Sequence, residues 1–97
     1  MLIEKMNLCQ DENIVKKYLK DNYIVALIRY KSDEAICTID KNICKEVSKK
    51  RRDNIVRREV VAHVESILFK NSVLSKFEEH NTLDKCRAMG FEIEIFY

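Results

Sequence analysis

Eight basic residues stand between Lys41 and Arg58: Lys41, Lys45, Lys49, Lys50, Arg51, Arg52, Arg57 and Arg58. Only Glu46 and Asp53 oppose them, so the segment carries a formal +6. The rest of the chain holds ten basic and fourteen acidic residues, or −4, and the total of +2 conceals this asymmetry. Cations at such density neutralise phosphates or an acidic protein surface. Placed on one helix, Lys41, Lys45, Lys49 and Arg52 follow at i, i+4, i+8 and i+11 and form a stripe. The residues predicted to contact the partner are Lys45, Lys49, Lys50, Arg51, Arg52, Arg57 and Arg58, as phosphate contacts rather than readers of bases. No Phe, Tyr or Trp lies between Lys31 and Leu68. Stacking on single strands uses aromatic rings, so the segment points to the backbone of a duplex. A solvated face that serves solubility accounts for the same charges without any partner.

Catalytic chemistry has less to stand on. His63 has Glu59 at i−4 and Ser66 at i+3, the beginning of a general-base arrangement. No nucleophile falls at a suitable spacing, and a packed histidine pairing with Glu59 explains the pattern equally. His80 sits in Glu78-Glu79-His80-Asn81, which reads as a loop. With one glycine, phosphate-cradling loops and dinucleotide folds are excluded. Asp33, Glu34, Asp40, Glu92 and Glu94, with Lys31, would make a metal-dependent nuclease if they converged on a divalent ion. Cys9, Cys37, Cys44 and Cys86 match no zinc spacing. They read as buried small hydrophobes, as one disulfide, or as ligands that recruit His63 or His80. No resident metal or cofactor is expected.

These groups need elements to position them. Ninety-seven residues suit one domain over 1–97. Without proline and with a single glycine, the chain should be mostly helix and strand joined by short polar turns. Met1 to Cys9 alternates and predicts a strand. Asp11 and Asn13 offer caps for a helix bearing Ile14, Val15, Tyr18 and Leu19, with Lys16, Lys17 and Lys20 on its wet face, ending near Asp21-Asn22. Tyr23–Tyr30 is a strand apolar on both faces. Lys31–Glu34 reads as a turn and Ala35–Ile39 as the second strand of a hairpin. Asp40 is a good N-cap for a helical pattern running from Lys41 to Lys70. Its apolar stripe of Ile43, Val47, Ile55, Val60, Val64, Ile67 and Leu68 is interrupted over Lys49–Asn54. One long helix, or two meeting near Asp53-Asn54, would account for that. Ser72 opens a short helical piece with Val73, Leu74 and Phe77. Thr82 starts another with Leu83, Cys86 and Met89, and Gly90 supplies a positive φ at its end. Phe91 to Tyr97 alternates, with Phe91, Ile93, Ile95 and Tyr97 inward and Glu92 and Glu94 outward.

The order β-α-β-β-α-β is that of a ferredoxin-like α+β sandwich with an extended second helix and an antiparallel sheet. That fold puts the second strand at an edge, yet Tyr23–Tyr30 is the most apolar strand, so a homodimer is expected to cover it. The longest near-apolar run, Tyr23 to Ile28, is too short to span a bilayer, and Met1–Asn7 lacks the features of a signal peptide. An intracellular, cytoplasmic protein is expected.

Size, the Ile/Lys/Asn/Glu bias, the absence of proline and the closing Cys86-Arg-Ala-Met-Gly-Phe-Glu-Ile-Glu-Ile-Phe-Tyr97 give the chain a likeness. It resembles the small α+β proteins of filamentous and rod-shaped viruses of hyperthermophilic archaea. The resemblance is one of style over the full length, without a signature motif, and it assigns no functional residue. It implies a dimer in a host cell and three roles: a DNA-binding regulator, a nuclease, or an inhibitor of a host CRISPR effector complex. Such inhibitors tend to be strongly acidic, and this chain is not. The expectation is therefore a small non-catalytic binder of duplex DNA backbone. The alternative is a protein-binding module such as a viral inhibitor, and the third reading is a metal-dependent nuclease.

Overall fold

In the computed structural model, residues 12–71 and 82–97 are described. The strand expected over Met1–Cys9, the cap at Asp11, the piece after Ser72, Cys9 and His80 lie outside them. The elements are a helix over 12–20 (α1), strands Tyr23–Tyr30 (β1) and Asp33–Asp40 (β2), a 3-10 turn Lys41–Cys44, helices Lys49–Lys70 (α2) and Leu83–Ala88 (α3), and strand Glu92–Phe96 (β3). The protein is α+β, with an antiparallel sheet in the order β2-β1-β3. Among the described residues, no helix is long and apolar enough to cross a membrane.

The apolar run of β1 reflects its position in the middle of the sheet. Ile24, Ala26 and Ile28 are all at most 1 % exposed. With Cys37 and Ile39 of β2 and Ile93 of β3, they pack against Val56, Val60, Val64 and Leu68 of α2 and Cys86 of α3. The alternate residues Val25 and Leu27 point through the sheet. They meet Val15, Tyr18 and Leu19 of α1, with Phe96 and Ile36 beside them. A period of two in a central strand sends adjacent side chains to opposite faces, so β1 is apolar on both because both are covered.

This arrangement corrects two expectations. In a ferredoxin-like sandwich β1 would be an edge strand, whereas here it pairs with β2 on one side and with β3 on the other. The two longer helices also lie on opposite faces of the sheet instead of sharing one. The apolar character of β1 therefore needs no second subunit to explain it.

Turn chemistry follows from the shortage of glycine. Asn22, Lys31 and Glu46 take positive φ angles of 72°, 54° and 75°. The hairpin loop is two residues, not four, because Tyr30 pairs directly with Asp33. The polar Asp33 and Glu34 belong to β2 because each finds a partner there. Asp33 accepts hydrogen bonds from Lys70 Nζ at 2.9 Å and Asn71 Nδ2 at 2.7 Å. Glu34 pairs with Arg29 at 3.6 Å.

Helix α3 ends as its sequence predicts. Thr82 caps it by accepting from the Lys85 N–H. Gly90, at φ 105°, lets the Gly90 and Phe91 N–H groups donate back to Arg87 and Cys86. Phe91 then stacks on Tyr30, ring centroids 4.3 Å apart.

The basic segment departs most from expectation. It is not one helix from Lys41. Asp40 caps only a 3-10 turn, accepting from the Asn42 N–H at 2.9 Å. The chain then breaks over residues 45–48, with Glu46 at positive φ. Ser48 restarts it by accepting from the Arg51 N–H at 3.2 Å. From Lys49 the helix runs unbroken through Asp53-Asn54 to Lys70. Ile43, expected in the buried stripe, sits on the 3-10 turn and is 57 % exposed.

Candidate nucleic-acid interface

The break at residues 45–48 dissolves the predicted stripe. Lys41 and Lys45 lie before it, so they do not continue the helical spacing of Lys49 and Arg52. Lys49, Lys50, Arg51 and Arg52 make the first turn of α2, and Arg57 and Arg58 follow two turns on. At 3.6 residues per turn, residues seven apart nearly eclipse. Lys50 aligns with Arg57, and Arg51 with Arg58, giving two adjacent rows of about 10 Å each along the axis. Arg52 falls on the other flank, toward the end of β3.

Lys45, Lys49, Lys50, Arg51 and Arg58 are exposed. Among the described residues, no ion pair holds any of these five side chains. Two of the predicted contacts are committed differently. Arg52 lies 3.6 Å from Asp53 and packs its guanidinium 4.6 Å from the ring centroid of Tyr97. Its Nε is buried without a hydrogen-bond partner among the described residues. Arg57 is half-buried and interacts within the fold.

The charge runs against the helix. The first turn of α2 contains no acid, and its N-terminal end carries the positive pole of the macrodipole. Each cation there costs a few tenths of a kcal/mol, up to about 1. Ser48 satisfies one orphan N–H group but adds no negative charge.

Tertiary structure adds residues that the segment did not reveal. Asn22, just past α1, accepts from the Lys41 N–H at 3.0 Å, and its side-chain amide reaches Asn42 at 3.4 Å. The end of α1, with exposed Lys17 and Lys20, thus meets the start of the basic segment. Tyr97 was expected inside. It continues the row of Ile93 and Ile95, but beyond the end of the core, and is 52 % exposed. Alternation in β3 signalled the direction of Tyr97; nothing in the sequence signalled that Arg52 would lie over it.

The other candidate chemistries are dispersed. Half-buried His63 bonds through Nδ1 to the backbone carbonyl of Glu59 at 2.9 Å, not to its carboxylate. Ser66 donates to the Ala62 carbonyl at 3.2 Å, so no His63–Ser66 relay forms. Strand alternation splits the acids: Asp33 faces α2 and is bound there, Asp40 is a cap, and Glu34, Glu92 and Glu94 lie on the opposite face around Arg29. A hollow of about 170 Å³ beside Leu27, Arg29, Glu34 and Ile36 is at the far end of the sheet from Tyr97. Among the described residues, no three His, Cys, Asp or Glu side chains are grouped to hold a metal.

Cys37, Cys44 and Cys86 carry free thiols. Burial, reinforced by the charge of Glu59, pushes Cys37 up to about 11. Burial also raises Cys86, against the lowering effect of Arg87. Both therefore stay protonated and act as small apolar core residues.

Comparison with protein-family models, curated proteins and solved structures finds no match to this chain.

Proposed function

We propose that the chain binds nucleic acid without catalysing a reaction on it, through phosphate contacts made by the first half of α2. The observation that carries this reading is the run Lys49-Lys50-Arg51-Arg52 at the N-terminal end of α2, with no acid in that turn. The arrangement costs stability in the isolated protein, and a polyanion would offset that cost. Lys45, Lys49, Lys50, Arg51 and Arg58 act as phosphate contacts. Arg52 and Arg57 add to the local potential while serving the fold. Phosphates at suitable spacing are offered by duplex and single strand alike.

A salt-titrated gel shift tests the reading. Wild type should bind at low salt and release steeply as salt rises. The Lys49→Ala/Lys50→Ala/Arg51→Ala/Arg58→Ala variant spares Arg52 and Arg57, and it should flatten the log–log salt slope by about 3 to 4. Absence of any shift at low salt, or an unchanged slope in a folded variant, would overturn it. An acidic protein partner would give no shift at all. Nicking of plasmid in the presence of magnesium would favour a nuclease.

A further inference from the structure

We infer that the nucleic acid taken by the basic end is single-stranded, and that an unpaired base stacks on Tyr97. This rests on the nucleic-acid reading above and narrows it. The segment's lack of aromatics favours a duplex only while it is considered alone. In the folded protein Tyr97, thirty-nine residues beyond Arg58, lies against one of its cations, Arg52. One ring face carries the Arg52 guanidinium at 4.6 Å, yet the residue remains 52 % exposed. An aromatic ring braced from behind by a cation and open to solvent in front is a stacking platform. Arg52 itself is held by this ring contact and by Asp53 at 3.6 Å.

The surroundings suit a strand that passes over the ring. Register puts Tyr97, one residue past the Phe96–Val25 pair, at the same end of the sheet as the Tyr23–Asp40 pair. Across the roughly 10 Å of that end, Lys41 follows β2 directly, with Lys20 of α1 close behind it through Asn22. Lys41 and Lys20 are the cations of that rim. Bases within a duplex are already stacked on both faces and cannot lie on an isolated tyrosine. A single strand presents its bases freely, and its phosphates can reach the rim on either side.

The chain contains no tryptophan, so Tyr97→Trp introduces a unique fluorophore at the proposed contact. It would be titrated with oligothymidylate, with a duplex of equal length, and with heparin, a polyanion without bases. Stacking predicts indole quenching by oligothymidylate but not by heparin. It also predicts that Tyr97→Ala weakens oligothymidylate binding on the order of tenfold while duplex and heparin affinities hold, and that Tyr97→Phe keeps the single-strand affinity. Binding of all three polyanions without quenching, and without a single-strand preference, would overturn the stacking inference and leave the phosphate reading standing. Failure to bind any of the three would remove both. If Tyr97→Ala is misfolded by circular dichroism, quenching and the Tyr97→Phe affinity decide the matter.

Discussion

The two halves of α2 are built for different purposes. The second half places Val60, Val61, Val64, Ile67 and Leu68 in the core, while the first half buries only Val56. Lys70 and the C-cap Asn71 pin the second half to Asp33 at the start of β2. Asn71 also donates to the Ile67 carbonyl at 2.8 Å, closing the last turn with its own side chain. The first half is held by Ser48, Arg52 and Arg57, and its other cations, Lys49, Lys50, Arg51 and Arg58, are exposed with no ion pair among the described residues. A single rigid rod is thus anchored at one end by apolar burial and presents cations at the other. The anchored half supplies the stability that the charged half gives up to macrodipole opposition and self-repulsion.

Substitutions in each half should separate these contributions. The largest effect is expected from Leu68→Ala. Leu68 is 3 % exposed in the main core, and its truncation should cost about 3 kcal/mol in denaturant unfolding. Polyanion affinity of the folded fraction should not change. A comparable loss of stability on truncating Lys50 or Arg58 would break the division between the halves.

A smaller effect belongs to the latch. The Asn71 amide, helped by Lys70, holds the Asp33 carboxyl below its ordinary value of 3.8. A carboxylate with a depressed pKa stabilises the fold fully above that ordinary value. Its contribution fades as the pH drops below 3.8 toward the lower folded value. Unfolding free energy of wild type should therefore fall in that window. Asn71→Ala should lower stability at neutral pH and flatten the acid decline. An equally steep decline in Asn71→Ala would mean that the latch is not what titrates.

The smallest change in stability should have the opposite sign. Lys49→Glu/Lys50→Glu turns opposed charges into favourable ones at the α2 N-terminus. The variant should gain roughly 0.5 to 1 kcal/mol while losing polyanion affinity. A loss of stability would show that these lysines serve the fold.

Much of the architecture can be read locally. The bounds of β1, the end of α1 near Asp21-Asn22 and the Thr82–Gly90 frame of α3 follow from periodicity and caps, which are properties of neighbouring residues. The break before α2 was hidden. Glu46 has none of the left-handed tolerance of Gly or Asn, and Ser48 looks like any polar residue within a helical pattern. The true start of β2 was hidden as well, because the partners that make Asp33 and Glu34 strand residues come from α2 and β1. The candidate interface was legible as a concentration of charge, but neither as a surface nor as a choice among its members. Helical phase separates Arg52 from Arg51 and Arg58, and that phase depends on where α2 begins.

By itself the sequence determined that a positively charged stretch follows a β-hairpin, and that the strand Tyr23–Tyr30 would be apolar on both faces. Both are consequences of residue type and short-range spacing. Only the tertiary structure decided that β3 joins the open side of β1, that α1 and α2 take opposite faces, and that Tyr97 lies against Arg52. Each of these joins residues far apart in the chain, and hydrophobic burial, which selects such pairings, is non-directional and leaves no local mark.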